Sequence, residues 1–254
     1  MKPPSQRRIV EERTYRRLAM VDRLTSFHVS AQETDLMVMA QKDLRDICRE
    51  EVLAQRGYIE HYIMRFPAFR TTLAPWIDAS PAPEIIHMMA AAGRACGVGP
   101  MAAVAGAIAE TVGQALRCYS REVIVENGGD VFLALDSAVT IGLYAGKSPL
   151  SMRIGLQLDP GGKPLAVCTS SGTVGHSLSR GKADAVCIVA RQCALADAAA
   201  TAVANRVASR DVIPEAIRYA RSIDGVEGVV AICGDRMGLW GDLHVVKLND
   251  TKKA

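Results

Sequence analysis

Between residues 168 and 205 the chain changes character three times, and the order of those changes restricts what it can fold into. A small hydroxyl-rich segment comes first, Thr169-Ser170-Ser171-Gly172-Thr173-Val174-Gly175-His176-Ser177, whose glycines let a backbone approach a ligand closely or adopt positive φ. A short apolar run at 183–190 follows, and its length and β-branched content predict a buried strand. Residues 194–208 are rich in alanine and predict a helix. Asp197 and Thr201 are the conspicuous polar residues of its first two turns, and standing four apart they share one helix face. Magnesium prefers hard oxygens and keeps waters and substrate phosphates in its shell, so one carboxylate and one hydroxyl make a plausible protein share. The same spacing also arises without a metal, from an Asp favoured by the macrodipole and a Thr bonded back to a carbonyl one turn earlier.

Two other glycine pairs stand out. Gly97-Val98-Gly99-Pro100 separates helical patterns at 83–95 and 101–117, and glycines at a helix N-terminus can hold an anion on free backbone N–H groups. No Lys-Ser/Thr follows and no strand precedes, so this is neither a Walker A loop nor a dinucleotide fingerprint. A tight turn between closely packed helices needs the same residues. In Glu126-Asn127-Gly128-Gly129-Asp130, Asn-Gly between two apolar runs is a hairpin signal. The carboxylates that bracket it, Glu126 and Asp130, are able to bond ribose hydroxyls or ring N–H groups.

Alternating runs predict strands at 14–19, 25–31, 34–40, 122–127, 131–135, 139–144, 152–158, 165–169, 228–235, around 239–240 and at 243–248. A long amphipathic helix is expected at 41–65, with His61 on its solvated face, and a short helix at 214–222. Residues 70–82 read as an irregular loop that either covers a pocket or crosses the surface. Strands joined by tight turns, with helices gathered in pairs, predict an α+β fold with a largely antiparallel sheet packed with paired helices. One domain over 1–254 is expected, large enough to bury roughly seventy per cent of its unfolded surface.

Composition narrows the function. The net charge of +3 is spread along the chain and aromatics are 5%, so no basic stripe interleaved with aromatics exists to grip nucleic acid. Seven cysteines with no C-x-x-C pattern read as reduced core residues of a cytoplasmic protein. Residues 1–17 are charged throughout and lack the apolar stretch of a signal peptide, and the most apolar run, 101–109, is too short to span a bilayer. A homo-oligomer, most simply a dimer, is the base-rate expectation, with the Ala- and Gly-rich helices at 101–117 and 194–208 packing against each other or a second subunit.

The segments Ile124-Val125-Glu126-Asn127-Gly128-Gly129-Asp130-Val131, Cys168-Thr169-Ser170-Ser171-Gly172 and Leu195-Ala196-Asp197-Ala198-Ala199-Ala200-Thr201-Ala202 resemble, in order and spacing, three segments of the ApbE-like superfamily. That superfamily includes the FAD:protein FMN transferases, which carry N-[IV]-G-G-D-I, A-T-S-G and A-D-A-L-A-T at these places. Together with Glu33-Thr34-Asp35-Leu36, Gly97-Val98-Gly99-Pro100-Met101 and Gly175-His176-Ser177-Leu178-Ser179, the chain is identified as a member of an uncharacterised bacterial and archaeal family of that superfamily. This closer resemblance covers nearly the full length, whereas the likeness to the transferases covers the quoted segments.

The resemblance implies FAD or FMN as ligand, magnesium on the pyrophosphate, and transfer of the FMN half to a Ser or Thr of an acceptor protein. It assigns Asp197 and Thr201 to the metal, and Glu126, Asn127, Gly128, Gly129 and Asp130 to the flavin or ribose pocket. Thr169, Ser170, Ser171 and Gly172 would form the loop beside that pocket, with Gly97 and Gly99 as a further nucleotide contact. The transferases continue with H-x-x-D-P-x-T-G, whereas His176-Ser177-Leu178-Ser179-Arg180-Gly181-Lys182 keeps the His and loses the Asp-Pro and the Thr-Gly. His176 as acid or base and Asp197 at the metal are the catalytic candidates, a His in a hydroxyl-rich loop having no evident packing task. Two readings stand: a magnesium-dependent transferase of flavin nucleotides, or a non-catalytic ligand-binding or regulatory protein that keeps the pocket.

Overall fold

A computed structural model describes residues 21–77, 80–172 and 181–248. Strands β1 (Thr25–Ala31) and β2 (Thr34–Ala40) form a hairpin whose turn places Gln32 at a φ of 52°. Helix α1 (Arg45–Arg65) and the single turn α2 (Ala68–Thr71) follow, then α3 (Glu84–Cys96), a 3-10 turn (Pro100–Ala103) and α4 (Val104–Leu116). Next come β3 (Val123–Asn127), β4 (Asp130–Ala134), β5 (Val139–Gly142), β6 (Ile154–Leu158), β7 (Leu165–Ser170) and β8 (Ala185–Ala190). Helices α5 (Cys193–Ala204) and α6 (Ile213–Arg221) precede β9 (Val226–Cys233), β10 (Arg236–Gly241) and β11 (His244–Lys247).

Eight strands make one sheet in the order β1-β2-β3-β4-β7-β8-β9-β10, and three make a smaller sheet, β11-β6-β5, with every neighbouring pair antiparallel. Because side chains alternate along a strand, the large sheet buries both faces. Val125, Phe132, Cys168 and Ile188 pack under the helices, whereas Ile124, Val131, Val167 and Cys187 meet Ile141, Leu156 and Leu158 of the small sheet. The molecule is therefore layered, with helices, large sheet and small sheet in sequence. The α+β class and the paired helices agree with the sequence pattern.

The central helices α4 and α5 touch backbone to backbone. A Cβ built on Gly106 would stand 2.3 Å from the Cys193 carbonyl oxygen, and one on Gly113 would meet the Phe132 ring at 2.2 Å. The Ala- and Gly-rich helices thus use their small residues on each other within one chain.

Several boundaries differ from the sequence reading for identifiable reasons. The helix expected from 101 starts as a 3-10 turn because Pro100 fixes its own φ and the Ala102 N–H bonds to the Gly99 carbonyl, three residues back. The helix expected to reach 208 stops at Ala204, since the Val207 carbonyl turns away to accept the Lys182 N–H at 2.7 Å. Met152, expected in a strand, sits in the turn before β6 with a φ of 58°. Of the loop expected at 70–82, the first two residues close α2 and Trp76 packs on α1, its Nε1–H donating to the Tyr62 hydroxyl at 3.1 Å. The strand expected at 14–19 lies outside the described residues. No single helix among the described residues is long and apolar enough to cross a membrane; α3 and the 3-10 turn with α4 are bent by 106°.

Candidate active site

The β3–β4 turn is built around two positive-φ glycines, Gly128 at 65° and Gly129 at 114°, which a two-residue hairpin of this hand requires. The Glu126 Oε1 accepts the Gly129 N–H at 3.1 Å, and the Thr169 N–H donates to the Gly129 carbonyl at 3.2 Å, so the turn is fastened to β7. Alternation then sorts the side chains. Asn127, Asp130, Cys168 and Ser170 face the helices, and Glu126 and Thr169 face the opposite side.

On the helix side the Asn127 Nδ2 donates to the Ala105 carbonyl at 3.0 Å, tying the hairpin to the first turn of α4. The N–H groups of Ala105 and Gly106, orphaned at that helix start, point at Asp197 of α5, whose Oδ2 accepts from Gly106 at 2.9 Å. Asp130 is 7% exposed and lies within electrostatic reach of Asp197, with the Cys168 thiol and the Thr169 N–H as donors. Burial, then the neighbouring Asp197, pushes the Asp130 carboxyl well above its ordinary range. Burial likewise lifts Asp197, to about 7, against the lowering pull of its two backbone donors. Two facing carboxyls without a compensating side-chain cation among the described residues can share a proton or hold a divalent ion.

Thr201 stands one turn beyond Asp197, half-buried, and its hydroxyl makes no hydrogen bond among the described residues. Thr111 of α4 shows the alternative, donating back to the Ala107 carbonyl at 2.9 Å. The Ser170 hydroxyl is 5% exposed and has no hydrogen-bond partner among the described residues, on the same sheet face as Asp130. Ser171 is half-buried and donates to the Ala183 carbonyl at 3.5 Å. Gly172 and Gly181 pinch the ends of the β7–β8 connection: a Cβ on Gly172 would stand 2.1 Å from the Gly181 carbonyl, and one on Gly181 1.8 Å from the Ala204 carbonyl of α5. His176 lies outside the described residues. Among the described residues no three His, Cys, Asp or Glu side chains form a group that could hold a metal ion by themselves.

Gly97 and Gly99 are accounted for by packing. Gly97 is the left-handed cap of α3, at a φ of 65°, with its N–H bonded to the Arg94 carbonyl, and a Cβ on Gly99 would stand 2.0 Å from the Thr72 carbonyl oxygen. Of the cysteines, Cys48, Cys96, Cys168, Cys187 and Cys193 are buried, Cys233 is half-buried and Cys118 is exposed.

One residue the sequence reading passed over completes the site's frame. Gln192, at the N-cap of α5, makes no capping bond, and the cap comes from another helix: the Glu110 Oε2 accepts the N–H groups of Cys193 at 2.7 Å and Ala194 at 3.2 Å. A helix start with no local Ser, Thr, Asp or Asn cap is the only hint the sequence offers. Glu110→Ala is expected to cost about 2 kcal/mol, since the side-chain acceptor of two backbone N–H groups is removed. Glu110→Gln should retain about half of that, and urea unfolding of the two variants measures it.

The carboxyl pair also sets a pH dependence. In the unfolded chain both groups titrate near the ordinary carboxylate value of about 3.9. Their raised folded values mean the native state holds protons more tightly, so the associated stability is present below that value and is lost as pH rises through about 7. A fall of roughly 5 °C in the thermal midpoint between pH 5 and pH 8 is expected, flattened in Asp197→Asn, and calorimetry across that range checks it.

Comparison with known proteins gives the chain's family and supports its fold. A family model described as "AbpE bacteria" matches residues 17–234. The UPF0280 protein of Methanocella arvoryzae is 39% identical over 213 residues, covering 84% of this chain and 86% of its own. That of Methanocaldococcus jannaschii is 42% identical over 208 residues, covering 80% and 84%. Among solved structures, the apo flavinyl transferase ApbE of Pseudomonas stutzeri superposes with a TM-score of 0.59 at 14% identity, covering 85% of this chain and 94% of its own. The ApbE protein of Thermotoga maritima gives 0.53 at 14% identity, covering 85% and 96%. At these identities the solved structures speak for a shared fold. The chain belongs to the AbpE bacteria family, whose archaeal relatives carry the name UPF0280 protein.

Proposed function

We propose that this protein binds a flavin nucleotide, FAD or FMN, through its phosphates and one magnesium ion at the junction of the β3–β4 turn, the start of α4 and the Asp197 face of α5. The observation that carries the reading is the nearness of Asp130 and Asp197, two raised carboxyls, with the Thr201 hydroxyl one turn along the same helix as Asp197 and the Ser170 hydroxyl, unpartnered among the described residues, on the sheet face of Asp130. This donor set fits a hard cation: Asp197 and Thr201 would hold it and leave room for waters and phosphate oxygens. Asn127, Gly128, Gly129 and Asp130 would shape the pocket for flavin or ribose, and Ser170 would donate to the ligand. When bound, magnesium would neutralise charge on a transferred phosphoryl group and its leaving phosphate. The fold shared with the ApbE flavinyl transferase of Pseudomonas stutzeri supports a flavin ligand over other phosphorylated compounds.

The reaction class this reading favours is transfer of the FMN half of FAD to the hydroxyl oxygen of a Ser or Thr of an acceptor protein, breaking the pyrophosphate bond and releasing AMP. His176 would be the base that takes the hydroxyl proton or the acid that protonates the AMP phosphate. The loss of the Asp-Pro and Thr-Gly after His176 supports a second reading, in which the nucleotide is bound and not transferred. Titration with FAD, FMN and ATP, with and without magnesium, tests the site itself. Tight magnesium-dependent binding of a flavin nucleotide supports it, and binding indifferent to magnesium refutes it. Incubating the FAD complex with Ser- and Thr-containing acceptor peptides and weighing the products then separates the two readings.

A further inference from the structure

Helix α1 carries on its outward side a face that the rest of the described chain leaves uncovered. Asp46, Glu50, Leu53, Ala54, Gly57, His61 and Met64 recur at helical spacing on that side; Leu53 is 52% and Met64 76% exposed. Gly57 lies at its centre, and a Cβ placed there would meet nothing within 4 Å. The other helical glycines, Gly93, Gly106 and Gly113, each make a close intramolecular approach that excludes a side chain, so Gly57 alone among them answers to nothing in the described chain. A glycine inside an exposed helix weakens it, yet it lets another helix come close.

We propose that this face is a self-association surface that takes a second copy of the chain, as an antiparallel two-fold helix pair centred on Gly57. Charge distribution selects the occupant and the direction. The N-terminal half of the face carries the acids Asp46 and Glu50, with Arg49 on its flank, and the C-terminal half carries His61, with Arg65 on one flank and Glu60, already bonded to Arg56 at 2.8 Å, on the other. Antiparallel pairing about Gly57 sets Glu50 of each copy beside the turn that holds Arg65 of the other. A parallel pair would set Glu50 against Glu50 of the other copy. The arrangement is isologous: one patch complements itself, and the assembly closes at two. Leu53 and Met64 supply the apolar contact on either side of the axis.

The test is sedimentation velocity on the full chain at about 100 μM, a concentration suited to an interface smaller than the standard size. The native chain is expected to sediment as a dimer, and Gly57→Lys as a monomer of 27.2 kDa. Because lysine is a better helix former than glycine, the variant should melt at or above the native midpoint, so loss of the dimer is not loss of the fold. A native chain that is monomeric at this concentration overturns the proposal. So does a dimer that survives Gly57→Lys, which would place the contact on another face or on residues outside those described.

Discussion

Gly106→Ala is expected to cost about 3 kcal/mol or more, near the upper end for overpacking. The new methyl would stand 2.3 Å from the Cys193 carbonyl oxygen and 2.8 Å from the Asp197 Cβ, and the oxygen is backbone that no rotamer change can move aside. Helices α4 and α5 must then separate. Their separation loosens the Gly106 N–H bond to Asp197 and the Glu110 cap on Cys193 and Ala194, because all three cross the same gap. Denaturant unfolding should show a lower midpoint with an unchanged slope, and the variant should lose magnesium-dependent nucleotide binding while still folded. Gly57→Ala, where the added methyl meets nothing within the described chain, is the control: at a concentration too low for association it should stabilise the single chain by about 0.5–1 kcal/mol.

Asp197→Asn should lower magnesium-dependent flavin affinity by about a hundredfold, equivalent to roughly 2.7 kcal/mol. Its stability should move the other way. At pH 8 the native chain keeps a carboxylate in surroundings that raise its pKa to about 7, and the neutral amide removes that burden while its oxygen can still accept the Gly106 N–H. A variant that binds worse and melts no lower at pH 8 separates a ligand-binding acid from a structural one. A drop in both would mean that Asp197 serves chiefly to hold α4 against α5.

Local chemistry made much of the fold legible. The β1–β2 and β3–β4 hairpins follow from period-two alternation and from Asn127-Gly128, and α5 follows from its alanines. The end of α5 was not legible, because it depends on the bond between Val207 and Lys182, residues of two different connecting segments. Glu110 escaped for the same reason, as its capping role exists only once α4 lies across the start of α5. Spacing placed Asp197 and Thr201 on one face, but whether Thr201 bonds back into its own helix was open until its geometry could be set beside that of Thr111. Asp130 read as one of a pair of turn-flanking acids. The pleat separates that pair, sending Asp130 inward against Asp197 and Glu126 beneath its own turn. Gly97 and Gly99, read as either an anion loop or a tight turn, have packing duties against α3 and Thr72.

The most direct test of the proposed site is a crystal of the native chain grown with FAD and manganese in place of magnesium, since manganese takes the same oxygen ligands and scatters anomalously. The proposed site predicts one strong anomalous peak in contact with the Asp197 carboxylate and the Thr201 hydroxyl, bridged to phosphate oxygens of the nucleotide. A nucleotide bound elsewhere, or bound here with no metal at Asp197, would contradict it.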